Sequence, residues 1–150
     1  MHTIKITIES LPYAHRIYGY AGRCARVHGH NARIETVFAS GSLDVQGFVA
    51  DFYDLRRIVR GVVEEFDHSL VVCESDPIRK ALADASEHHV TLATPPTAEH
   101  LAAHVLAGVR RSLAVTLRTG DTLRCVSVAW QEEPGFIAVA SDDAVGSFER

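Results

Sequence analysis

Residues 2–9, His-Thr-Ile-Lys-Ile-Thr-Ile-Glu, alternate strictly, with Ile4, Ile6 and Ile8 on one side of an extended chain and Thr3, Lys5 and Thr7 on the other. This pattern predicts a half-buried strand. The alternation is lost over residues 10–23, where Pro12, Gly19 and Gly22 predict a long loop. It resumes over residues 31–39 as a second strand closed by Gly41-Ser42, and Val45–Ala50 predicts a short strand completing a hairpin. The period changes at Asp51. Phe52, Leu55, Val59, Val62 and Phe66 share one helical face, Arg56, Arg57, Arg60 and Glu64 lie largely outside it, and Asp51 is placed to cap the first turn. Residues 78–85, after Pro77, read as a short helical turn. Pro95-Pro96 then halts the chain, and Thr97 caps a second long helix running to about Leu113, with Leu101, Ala102, Val105, Leu106 and Val109 as its apolar stripe. Residues 123–132 read as a strand buried on both sides for part of its length. Pro134-Gly135 turns the chain into a last strand, Phe136 to Ala140. Residues 141–150 read as a polar, frayed tail.

Strands paired through short turns, with helices segregated between them, indicate an α+β fold around an antiparallel sheet. The expected unit is a single domain over residues 1–140 with four strands and two long helices, without internal repeats or a domain boundary. Two helices cover one sheet face only. The remaining face and the sheet edges favour assembly with further copies of the chain.

Composition narrows the class. A chain of 150 residues, 47% hydrophobic and 23% charged, has the size and mix of one soluble domain. No apolar run approaches the roughly 20 residues that span a bilayer. Residues 1–6 lack the basic and then apolar regions of a secretion signal, so a cytoplasmic location is expected. Three cysteines, Cys24, Cys73 and Cys125, are an odd number without disulfide-framework spacing and are expected as free thiols. A net charge of -4 argues against nucleic-acid binding, which needs a basic surface.

Nine histidines shift attention to chemistry. In His28-Gly29-His30, residues i and i+2 of an extended segment point to the same side, so both imidazoles can converge on one ion. The alternative is a pair of hydrogen-bonded surface histidines. His15 lies where a paired strand would bring it beside them. Three neutral histidines then fill three tetrahedral positions of Zn²⁺ and leave the fourth open, which is a catalytic arrangement. Cys24, four residues before His28, reads either as a fourth ligand or as a nearby thiolate base or nucleophile beside Arg23 and Arg26; a small buried residue is the bland alternative. Cys73 and Cys125 read as packing residues. Asp67-His68 follows the first helix. A carboxylate does not easily grip the ring of its own neighbour, yet the pair can project into a site where the aspartate orients the imidazole. A histidine favoured by the dipole of a helix C-terminus is the competing reading.

Taken together in order and spacing, Ala14-His15, Cys24-x3-His28-Gly29-His30-Asn31, Gly47-x3-Asp51-Phe52, Asp67-His68, Pro96-Thr97-Ala98-Glu99 and Glu132 resemble the 6-pyruvoyltetrahydropterin synthase and 6-carboxytetrahydropterin synthase family. The resemblance runs from about Thr3 to Val139, and the three-residue gap between Cys24 and His28 is similar to the bacterial 6-carboxytetrahydropterin synthases. It implies a tunnelling fold, a four-stranded antiparallel sheet with two helices on one face. Copies would join into a barrel of trimers and stack as a hexamer, with active sites between subunits. It further implies that His15, His28 and His30 hold zinc and that Cys24 is the general base. Asp67 and His68 would form a proton relay, Glu132 would anchor the pterin ring through parallel N–H donors, and Thr97 would line the same pocket.

The activity so implied is that of a zinc lyase. It converts 7,8-dihydroneopterin triphosphate to 6-carboxy-5,6,7,8-tetrahydropterin, with acetaldehyde and triphosphate, for queuosine or other deazapurine synthesis. Pyruvoyl formation or aldolase-like side-chain cleavage on the same scaffold is the near alternative, and a non-catalytic zinc-stabilised assembly protein the distant one. Arg16, Arg23 and Arg26 are candidates to meet the triphosphate by charge alone. The chain departs from the family pattern at Glu133, where threonine is usual, at Cys73, where asparagine is usual, and at Pro95 and His100. Glu132 and Glu133 both stand as candidates for the ring anchor, and the alternation Val126, Val128, Trp130, Glu132 supports Glu132.

Overall fold

A computed structural model describes residues 1–116 and 122–142. Its elements are β1 (His2–His15), β2 (His28–Ser40), α1 (Phe52–Val63), β3 (Leu70–Cys73), α2 (Ile78–Asp84), β4 (His89–Leu92), α3 (Ala98–Thr116), β5 (Arg124–Glu133) and β6 (Phe136–Ser141). One sheet takes them in the order β4-β3-β1-β2-β5-β6. The four longer strands pair antiparallel, as alternation indicates, whereas β3 joins β1, and β4 joins β3, in parallel.

The sheet is therefore six-stranded and mixed, with three helices, and the expectation of four antiparallel strands and two helices is corrected. β3 and β4 have four residues each, too few to show a period. The helices over 78–84 and 98–116 match the turn and the long helix read from the sequence.

β1 also runs six residues further than its alternation suggests. Its pairing with β2 shifts register between Ile8 and Leu11, so the buried set changes from Ile6 and Ile8 to Leu11, Tyr13 and His15. A bulge of this kind resets the alternation by one residue, and the reset reads as a loss of period. The strand expected over Val45–Ala50 is instead a loop. Asp44 Oδ1 accepts from the backbone N–H groups of Gln46 and Phe48, and Gly47 takes φ 88, so side-chain capping bends the chain back before a ladder can form.

α1 starts where Asp51 accepts from Tyr53 N at 2.7 Å, and Thr97 Oγ1 accepts from His100 N at the start of α3. Leu55, Val59 and Val63 of α1 and Leu101, Val105 and Val109 of α3 pack with Ile6, Ile8, Ile34, Phe38, Val128 and Trp130 of the sheet in one core. Among the described residues, no helix is long and apolar enough to cross a membrane. Residues 143–150, most of the expected tail, lie outside the described residues.

Candidate active site

The β1–β2 register builds the site. His15 at the end of β1 faces His28 across the ladder, and Tyr13 faces His30. Residues opposite one another, and residues two apart on one strand, share a sheet face, so three imidazoles converge. One ring nitrogen of each of His15, His28 and His30 lies within 4.8 Å of the others.

Backbone carbonyls orient two of these rings. His15 Nδ1 lies 2.7 Å from Pro96 O, and His28 Nδ1 lies 2.7 Å from Arg26 O. A carbonyl only accepts, so each Nδ1 carries the proton and each Nε2 keeps its lone pair. Burial is the main cause that lowers the His15 pKa, which favours the neutral ligand form. Nε2 of both His15 and His30 is buried without a hydrogen-bond partner among the described residues. Two buried, unpartnered imidazole nitrogens aimed at a common point fit a bound metal ion and are costly otherwise.

A cleft of about 510 Å³ opens beside the cluster, lined among others by His15, Cys24, Thr97, Glu99, Glu132 and Phe136. Cys24 sits exposed in a 3-10 turn over Arg23–Ala25, whose Cys24 carbonyl accepts from Ile17 N at 2.7 Å, tying the turn to the end of β1. Glu132 reaches the histidines from β5: Oε1 is 3.6 Å from His15 Nε2 and Oε2 is 3.9 Å from His30 Nε2. Glu133 Oε1 lies 3.5 Å from His30 Nδ1 on a more exposed side chain. Thus four of the residues singled out from sequence, His15, Cys24, Thr97 and Glu132, share one cleft.

Asp67 and His68 stand apart from it within one chain. His68 lines a second depression, in the company of Tyr13, His30, Glu87 and His88. His68 Nδ1 lies 2.7 Å from Asp67 Oδ1, contrary to the expectation that adjacent residues pair poorly. The backbone explains the difference. His68 adopts φ 54, a left-handed conformation that turns its ring back over Asp67, and its N–H donates to Pro12 O at 2.8 Å. Such backbone strain is found at functional sites more than elsewhere. The His68 side chain is 81% exposed, so its outer nitrogen is free to meet another molecule.

Three further placements bear on the chemistry. Arg16 is committed to Asp76, with Nε donating to Oδ2 at 2.7 Å and a second bond to Oδ1, so Arg23 and Arg26, both exposed, remain the triphosphate candidates. Cys73 and Cys125 are buried, in keeping with packing roles, and burial pushes the Cys125 thiol up to about 12. Two residues at or behind the site received no role from sequence. Glu99 lines the cleft at the start of α3, where its own backbone N–H and the Thr97 hydroxyl lower its pKa. Tyr13 is buried between His15, His30 and Trp130. The signal for Tyr13 is its place two residues before His15, legible only once residues 11–15 are known to be strand.

Comparison with known proteins bears on the family and the fold. The family model for 6-pyruvoyl tetrahydropterin synthase matches residues 3–142. The 6-carboxy-5,6,7,8-tetrahydropterin synthase of Aquifex aeolicus is 29% identical over 114 residues, covering 73% of this chain and 70% of that protein. A probable 6-carboxy-5,6,7,8-tetrahydropterin synthase of Halobacterium salinarum is 32% identical over 126 residues, covering 83% and 77%. The fold is similar to that of a Plasmodium vivax 6-pyruvoyltetrahydropterin synthase, with a TM-score of 0.71 at 18% identity over 95% of this chain and 99% of that one.

Proposed function

The chain belongs to the 6-pyruvoyl tetrahydropterin synthase family, and from that premise we propose that it is a zinc-dependent lyase making 6-carboxy-5,6,7,8-tetrahydropterin. The substrate is 7,8-dihydroneopterin triphosphate, which with water also yields acetaldehyde and triphosphate, and the product serves queuosine or related deazapurine synthesis. The names of the Aquifex and Halobacterium relatives support this product over the pyruvoyl one. One observation carries the reading: three convergent imidazoles, two with unpartnered buried nitrogens, border a cleft that also holds a thiol and a carboxylate.

Zinc on His15, His28 and His30 would lower the pKa of hydroxyl groups on the substrate side chain and stabilise charge that develops there. Cys24 acts as thiolate base and removes a proton on one face of that side chain. His68, oriented by Asp67, exchanges a proton on the other face. Glu132 accepts N–H bonds from the guanidine-like edge of the ring, and Thr97 lines the same pocket. Cys24 and His68 line different depressions of one chain. The relay is therefore completed by a second copy, in a homo-oligomer expected to be a hexamer of stacked trimers.

Incubation with dihydroneopterin triphosphate and mass analysis tests the reading. Carboxypterin and acetaldehyde are expected, and a pyruvoyl product would move the chain to the alternative activity. Cys24→Ala is expected to keep its zinc and lose turnover by about two orders of magnitude or more. Loss of zinc instead would make Cys24 a ligand.

A further inference from the structure

Tyr13 lies at the junction of three elements. It sits on β1 two residues before His15, pairs across the ladder with His30, and its ring is 5.3 Å from that of Trp130 on β5. Its ring centroid is 5.1 Å from that of His15 and 5.9 Å from that of His30, so one aromatic wedge packs on two of the three clustered imidazoles. Trp130 Nε1 stands 3.2 Å from the Tyr13 hydroxyl, and that hydroxyl stands 2.7 Å from Glu132 Oε1. Trp130 is fully buried and Tyr13 is 4% exposed.

The direction of this chain of bonds is forced. An indole N–H can only donate, so the Tyr13 oxygen accepts from Trp130 and spends its single hydrogen on Glu132. Glu132 Oε1 is therefore an acceptor held in place, and Oε2, 3.9 Å from His30 Nε2, accepts no hydrogen bond from the described residues. We propose that Tyr13 is the positioning residue for Glu132, the second link of a Trp130–Tyr13–Glu132 hydrogen-bonded chain that fixes the rotation of the carboxylate and presents Oε2, with the remaining lone pair of Oε1 beside it, to a ligand in the cleft. A tyrosine that merely filled the core would leave Glu132 free to rotate. Here its hydroxyl ties a core indole to the Glu132 carboxylate, which faces both His15 and His30.

What the oriented oxygen does, accept from the pterin ring, rests on the function proposed above; the chain of bonds does not. The test separates the two. Trp130 is the only tryptophan, so the single indole N–H resonance of ¹⁵N-indole-labelled, zinc-loaded protein needs no assignment. Tyr13→Phe keeps the ring and removes the acceptor, and an upfield shift is expected. Glu132→Gln, which leaves Tyr13 and Trp130 unaltered, is expected to shift the same resonance through the phenol. An indole signal unmoved by Glu132→Gln overturns the proposal. Kinetically, Tyr13→Phe is expected to raise KM for the pterin triphosphate roughly tenfold, the equivalent of one hydrogen bond, with zinc content unchanged and kcat much less affected. Wild-type KM and kcat in Tyr13→Phe overturn it as well. If the wild-type protein turns over no pterin triphosphate, the proposed function fails, and the indole shifts alone decide the role of Tyr13.

Discussion

Asp76 shows how a single residue supports the site from outside it. Its side chain is fully buried, its Oδ1 accepts from Ile78 N at 2.9 Å, and Arg16, next to His15, donates to both oxygens. The Arg16 hydrogen bonds are the main cause that holds its carboxyl below the ordinary range. A carboxylate depressed in the folded state adds stability above its unfolded pKa of about 3.9, and that stability is lost as pH falls through the folded value. Asp76→Asn is accordingly expected to cost about 3 kcal/mol near neutral pH, because it leaves a partly buried guanidinium short of its partner. The gap between parent and variant should close as the medium is acidified below about pH 4. Urea unfolding of both proteins across that range checks it; a gap independent of pH would rule out the ionised pair as its source. Sixty residues separate Arg16 from Asp76, and charge alone made Arg16 look like a phosphate ligand.

At the scale of elements, α1 and α3 each contain one glycine, and the two differ in surroundings. A Cβ at Gly108 of α3 would stand 2.6 Å from Val62 Cγ1 of α1, whereas a Cβ at exposed Gly61 of α1 would meet nothing within 4 Å. Alanine gains about 1 kcal/mol over glycine in a helix interior, and overpacking costs about 1–3 kcal/mol. Gly61→Ala is thus expected to stabilise by about 1 kcal/mol. Gly108→Ala is expected to destabilise by up to about 2 kcal/mol as the helices are forced apart. Thermal or denaturant unfolding compares them directly, and equal shifts of the same sign would show that the helix contact does not constrain Gly108. Helical periodicity revealed both helices without β-sheet context, because a stripe repeating every third or fourth residue needs only local sequence. It was silent about which glycine lies in a contact.

At the scale of the whole molecule, β6 ends the sheet with Phe136, Ile137 and Val139 exposed, and β4 ends it on the other side. An edge of this apolar character invites pairing with another copy. The assembly proposed above makes a distinctive prediction. Cys24→Ala and His68→Ala proteins, each inactive, should recover part of the wild-type turnover when unfolded together and reassembled, because some mixed sites then carry both the thiol and the imidazole. Size-exclusion chromatography confirms assembly, and the absence of recovery in well-assembled mixtures would place both groups in one chain's site.

Much of this protein was legible before any coordinates. The antiparallel framework of the longer strands, the two long helices with their caps at Asp51 and Thr97, and the convergence of His28 and His30 follow from local period and spacing, which depend on neighbours a few residues away. The position of His15 beside them, the shared cleft of Cys24, Thr97 and Glu132, and the family resemblance were also readable, because several short motifs occur in a fixed order. Tertiary structure alone decided the rest. The bulge between Ile8 and Leu11 moves Tyr13 and His15 to the inner face. The left-handed turn at His68 places its ring on Asp67, and the Trp130–Tyr13–Glu132 chain joins strands more than a hundred residues apart. Each depends on register or a long-range contact, and a shift of one residue in a strand turns every following side chain to the opposite face.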